Sequence, residues 1–208
     1  MCGIAGIIHR DGAARIGDEL TAMLNSMKHR GPDSTGYAIY GPADEMVIVR
    51  FVLAEPNDFT GFGMDEKLER NRAEVESRLA KIGAEVATIQ NETGYAFRAT
   101  IRYGGDLKPL ADYLEDIPGC KELSLGSSLE IIKDLGDAYT VHDQYGLAKV
   151  SGTHGIGHIH MPRFGEFDQH GQVHPGDDFH LRLVHHRDGE VGGRAAKHIG
   201  EQDHAMAV

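Results

Sequence analysis

Apolar and polar positions divide the chain into short periodic blocks. Gly3 to Ile8 is an unbroken run of small and aliphatic residues, the length of a buried strand. From Gly17 to Lys28 the apolar residues Leu20, Met23, Leu24 and Met27 recur at i, i+3, i+4 and i+7, which is one buried helix face. Both methionines are therefore expected in the core. Gly31-Pro32 must stop that helix, because proline restricts the residue before it and glycine lets the chain turn. Gly36 to Tyr40 and Met46 to Leu53 then read as two strands joined by a Gly41-Pro42-Ala43-Asp44 turn, an antiparallel hairpin.

After Ala54 the pattern changes. A Pro/Asn/Asp/Gly-rich loop leads to a charged helix over about Asp65 to Ala84, with Leu68, Val75, Leu79 and Ile82 at helical spacing. Tyr95, Phe97, Ala99, Ile101 and Tyr103 alternate with their neighbours, the period of a strand with one buried face. Leu107 to Leu114 suits a helix and Lys121 to Leu125 a strand. A further helix is expected from Ser127-Ser128, with Ser128 as its cap and Leu129, Ile131 and Ile132 facing inward. Asp137 to Tyr145 suits a last short helix. The fold class that follows is α+β.

Composition narrows the partners. The net charge of -11 argues against nucleic acid and anionic membrane surfaces, which need clustered Lys and Arg. No apolar run approaches the roughly 18 to 20 residues of a membrane span, and no basic, apolar leader follows Met1, so a cytoplasmic protein is expected. Two cysteines do not make a disulfide framework, and Cys120 reads as a turn residue without a role.

Cys2 is the candidate for chemistry. Removal of Met1 would put a thiol and an α-amine on one residue; with pKa values of roughly 8.5 and 7.7 to 8.0, the amine can take the thiol proton near neutral pH. Met1-Cys2-Gly3-Ile4-Ala5-Gly6-Ile7, taken with His29-Arg30-Gly31-Pro32-Asp33-Ser34-Thr35-Gly36, resembles the class II glutamine amidotransferases, which are N-terminal-nucleophile hydrolases.

The resemblance implies an αββα sandwich carrying an α+β insertion and an incomplete C-terminal portion. Residues 1–53 would form the first part of the amidotransferase domain, 54–148 the insertion, and 149–208 a return to the core with a divergent His-rich tail. It implies Cys2 as the nucleophile that forms a glutamyl thioester, and Arg30 as a residue shaping the glutamine pocket. The insertion, with Ile131-Ile132-Lys133-Asp134-Leu135-Gly136-Asp137, resembles the free-standing amidotransferase subunits of glutamate-synthase-like enzymes, including N-methylglutamate synthase. Implied partners are glutamine and the synthase subunits of such a complex, in a hetero-oligomer; no cofactor is expected on this chain.

The later motifs depart from that pattern. Val150 to His158 is similar to the family, whose members continue His-Thr-Arg-Met, the arginine gripping the substrate carboxylate through two parallel bonds. Here the residues are His158-Ile159-His160-Met161, and an imidazole does not reproduce the planar fork. His158 and His160 are thus the substrate-binding candidates at that position. Val173-His174-Pro175 resembles the family's Ala-His-Pro. Leu183-Val184-His185-His186 resembles Leu-Val-His-Asn, so His186 occupies the position of an oxyanion-hole asparagine, a donor worth about 100- to 1000-fold in rate.

Ten of the 13 histidines lie at or after His154, which opens two alternatives. One is a catalytically silent structural or regulatory subunit. The other is a metal-binding protein using His158, His160, Glu166 and His174, a donor set suited to Zn, Fe or Ni. No metal ligand is assigned in the first reading. Gly155-x-Gly157 lacks the third glycine and following helix of a nucleotide loop.

Overall fold

The computed structural model describes residues 2–31, 33–54 and 63–160. Among the described residues, eight strands and four α-helices follow in the order β1 (Gly3–Ile8), α1 (Ile16–Ser26), β2 (Ser34–Tyr40), β3 (Val47–Val52), α2 (Met64–Lys81), β4 (Glu85–Gln90), β5 (Ala96–Arg102), α3 (Leu107–Glu115), β6 (Lys121–Gly126), β7 (Leu129–Leu135), α4 (Ala138–Gln144) and β8 (His154–His160). They make two antiparallel four-stranded sheets, in the orders β1-β8-β2-β7 and β4-β5-β3-β6. The class is α+β, as its pattern predicts.

Each sheet has its own helical cover. On the first, Leu20 and Leu24 of α1 and Val141 of α4 are buried with Ala5, Tyr37, Ile39, Ile132 and Ile159. On the second, Val75 and Leu79 of α2 and Leu110 and Leu114 of α3 close over Val49, Phe51, Phe97 and Ile101. Burying a side chain of this size stabilises by about 1.5–3 kcal/mol.

Glycine determines how close α1 lies to the first sheet. A Cβ on Gly157 would sit 2.6 Å from Leu24 Cδ1, and one on Gly155 would sit 2.9 Å from Leu20 Cδ1 and 3.0 Å from the Ala38 carbonyl oxygen. The Gly155-x-Gly157 spacing thus serves helix packing.

The chain passes between the sheets through Ser127-Ser128, and a polar cluster ties them beside that turn. Glu130 of β7 accepts from Arg50 of β3 at 2.7 Å and from both Nε and Nη2 of Arg98 of β5, while Arg50 also reaches Glu92. Asp134, buried, accepts from the hydroxyls of Tyr95 and Tyr145.

Three expectations are corrected, and one strand is unforeseen. β2 and β3 do not form a hairpin: β2 lies between β8 and β7, whereas β3 lies between β5 and β6 of the other sheet. Leu129 to Leu135 is a strand, not a helix. Ser127-Ser128 is the tight connection from β6, and Leu129-x-x-Ile132 imitates helical spacing because residues on both pleat faces are covered. Met23 lies at the margin of the α1 stripe and is 37% exposed, whereas Ile16, Gly17 and Thr21 complete the buried face. β4 escapes the pattern because all six of its residues are exposed, leaving no apolar face to read.

Residues 1–53 contribute β3 to the second sheet, and 54–148 contribute β7 and α4 to the first. Among the described residues, no helix is long and apolar enough to cross a membrane.

Candidate active site

β8 lies between β1 and β2 and is the strand on which the site is built. Its register with β1 opposes Gly3 to Ile159 and Ile4 to His158, and its register with β2 opposes Gly36 to His158 and Ser34 to His160. Directly opposed residues of an antiparallel pair share a face, and alternate residues of one strand do also. Cys2 therefore emerges beside His160, on the face that carries Ile4 and His158 and away from the α1 core.

The side chains meet there. Cys2 Sγ lies 3.3 Å from His160 Nδ1, and the rings of His158 and His160 have centroids 6.0 Å apart. One ligand-type atom from each of Cys2, His158 and His160 falls within 4.8 Å of the others. Cys2 is exposed, and both histidines are half-buried. The expected His-x-His pairing on one strand face is thus observed, and Cys2 joins it.

The surroundings are cationic rather than acidic. His158 is held below the ordinary imidazole value first by desolvation, then by the nearby charges of His160 and Lys133. Lys133 is opposite Gly36, which is itself opposite His158 in the next strand. Gly36 has no side chain, and a Cβ built on it would sit 3.7 Å from Lys133 Cγ. Both causes, desolvation and nearby charge, favour the neutral form of the His158 imidazole.

An acceptor beside a thiol is chemically competent. In the tautomer with its proton on Nε2, His160 offers Nδ1 to the Cys2 S–H, and proton transfer would leave a thiolate against an imidazolium. Cys120 has the opposite character. Burial first, then the charge of Glu74, raises its thiol to about 11, so at neutral pH it is an inert packing group against the second sheet's core.

Arg30 ends a short 3-10 turn, Lys28–Arg30, and is exposed; its side chain bonds to no other described residue. The turn itself is tied to the site, since Asp33 N–H donates to the His160 carbonyl at 3.3 Å and Gly136 N–H to the Asp33 carbonyl. His186, Glu166 and His174 lie outside the described residues. The Cys2–His160 pairing is what sequence reading misses. The parity of positions 2, 158 and 160 suggests it only once β1 and β8 are known to be neighbours.

Comparison with known proteins adds two relatives. No family model matches the chain. It is 33% identical over 178 residues to a protein of Methanothermobacter thermautotrophicus provisionally named glutamine amidotransferase, covering 84% of this chain and 56% of that protein. It is 34% identical over 165 residues to the glutamine amidotransferase-like protein GlxB of Rhizobium meliloti, covering 77% of this chain and 50% of that protein. The chain spans about half the length of the curated relatives it matches. These likenesses support a glutamine amidotransferase family for the chain.

Proposed function

We propose that the chain hydrolyses glutamine to glutamate and ammonia through Cys2, and that the observation carrying this reading is the 3.3 Å contact between Cys2 Sγ and His160 Nδ1. His160 takes the thiol proton as sulfur bonds to the side-chain amide carbon of glutamine. The tetrahedral adduct collapses to a thioester when the C–N bond breaks, and the protonated imidazole gives its proton to the departing nitrogen. Water then adds to the thioester carbon, losing a proton to the same imidazole, and the C–S bond breaks to return the thiol and glutamate. General base catalysis of this kind contributes typically about 100- to 10,000-fold.

The finer assignments follow the motif resemblance. After loss of Met1, the α-amine of Cys2 is a second base on the same residue, which makes the chain a class II, N-terminal-nucleophile amidotransferase. The helix-covered first sheet, with its nucleophile at the head of β1, supports one half of an αββα sandwich. Ammonia would be delivered to a synthase subunit of a glutamate-synthase-like complex in a cytoplasmic hetero-oligomer, with no cofactor on this chain. Arg30 and His158 would contact glutamine, and His186 would stand at the oxyanion position.

A silent structural or regulatory subunit is the second reading. It is favoured by His160 standing where the family's substrate-gripping arginine is expected. One assay separates the two. Untagged chain, shown by intact mass to begin at Cys2, is incubated with glutamine and assayed for ammonia. Release that disappears in Cys2→Ala and when the N-terminus is blocked supports the glutaminase; no release from the verified, folded chain supports the silent subunit.

A further inference from the structure

We propose that Cys2, His158 and His160 form a zinc site that holds the nucleophile in a reversible, inactive state. Metal binding stands on the geometry alone. The inhibitory consequence rests on the glutaminase reading above.

The donor chemistry is that of zinc. Thiolate sulfur and neutral imidazole nitrogen bind this ion at roughly 2.3 and 2.0–2.1 Å, so neighbouring donors in a tetrahedral shell are about 3.4–3.6 Å apart. Cys2 Sγ and His160 Nδ1, at 3.3 Å, are close to that separation. The third donor, on His158, needs only a side-chain adjustment to close from the 4.8 Å envelope. Their supports differ in a useful way. The two histidines are fixed on a central strand with partners on both sides, whereas Cys2 precedes an edge strand and can move to meet the ion.

Charge and protonation are consistent with this assignment. Imidazoles coordinate through a nitrogen lone pair, and the thiol coordinates as a thiolate. Binding releases the thiol proton to solvent, and the resulting thiolate supplies the negative charge that offsets repulsion between the ion and Lys133. Three protein ligands leave a fourth position open to water. With one lone pair on the metal and the ion beside it, sulfur is a weaker and less accessible nucleophile toward an amide carbon. Removal of the ion by a chelator restores the free thiol, since no covalent bond has been made.

Cobalt(II) provides the test, because a thiolate ligand gives it a near-ultraviolet charge-transfer band that histidines alone do not. The untagged full chain, stripped by chelator, is titrated with cobalt(II), and zinc is then added to displace it. The expected result is a band saturating at one equivalent, absent in Cys2→Ser and retained in Cys120→Ser. His158→Asn and His160→Asn should each weaken zinc binding by more than the roughly 10- to 100-fold that loss of an outer-shell partner costs. Circular dichroism confirms that each variant is folded.

A band that survives in folded Cys2→Ser, or zinc affinity unchanged in both histidine variants, overturns the site and assigns any uptake to other histidines. Ammonia release is measured in parallel with and without one equivalent of zinc. Release that persists at saturating zinc overturns the inhibitory role. Absence of release without metal, beside an intact cobalt band, counts against the glutaminase reading while the metal site stands.

Discussion

Glu130 and Arg98 form a two-pronged ion pair between the sheets, with Arg98 Nη2 2.8 Å from Oε1 and Nε 3.0 Å from Oε2, and Arg50 Nε shares Oε2 from the other side at 2.7 Å. Desolvation is the largest single influence on the Glu130 carboxyl and raises its pKa. The hydrogen bond from Arg98 and the charges of Arg50 and Arg98 together outweigh it, so the carboxyl lies below its ordinary value. Removing the charge leaves Arg98 without its carboxylate and Arg50 with Glu92 alone, on side chains only 16% and 5% exposed. Glu130→Gln should destabilise by roughly 3 kcal/mol at neutral pH, the low end for breaking a buried pair.

The same pair sets a pH signature. A depressed folded pKa contributes stability that is complete above the unfolded value of about 4.3 and is lost as pH falls through the folded value. In urea titrations from neutral to acid pH, the gap between wild type and Glu130→Gln should narrow below that point. A gap constant to the most acidic pH at which both fold would contradict the pairing.

Gly155 and Gly157 carry no chemistry in this account, yet substitution there should reach the site. Gly157→Ala drives a methyl into Leu24, and Gly155→Ala drives one against Leu20 and the Ala38 carbonyl. Overpacking of this kind costs about 1–3 kcal/mol. Gly94→Ala, where an added Cβ meets nothing within 4 Å, should stay within about 0.5 kcal/mol. Thermal unfolding of the three variants provides the comparison, and equal losses in all three would refute close packing of α1 on β8.

His160 is open to two roles that kinetics can separate. As the proton acceptor for Cys2, its replacement by alanine lowers kcat about 100-fold or more. As a contact to glutamine that is equal in ground and transition states, its replacement raises KM and leaves kcat unchanged. The expected outcome is the kcat loss. Steady-state ammonia release from His160→Ala decides between them.

Much of the fold is legible in local periodicity, and the failures have a common cause. β1, α1, α2, β5 and α3 each bury chiefly one face, so the apolar spacing reports the element. β7 has covered residues on both faces and borrows a helix-like Leu129–Ile132 interval; β4 buries neither face and leaves no signal. The β2–β3 hairpin fails because the turn between them resembles one that joins neighbours, and only the sheet order shows that it does not. At the site, His158 and His160 are readable as an alternate pair on a strand. Their meeting with Cys2 is not, because it depends on which strand lies beside β1.

β8 is the neighbour of both β1 and β2, and this order has a consequence for biosynthesis. β1 and β2 have no pairing with each other; β1 must wait for β8, whose paired residues lie 146 to 156 positions later, and β2 for β7, 89 to 101 positions later. Contacts this distant along the chain close slowly and leave early strands unpaired in the interval. Cys2 and His160, 158 positions apart, are accordingly among the last groups to meet. A nascent chain would carry its thiol long before it carries the imidazole that activates it, so competence to react arrives with completion of the sheet.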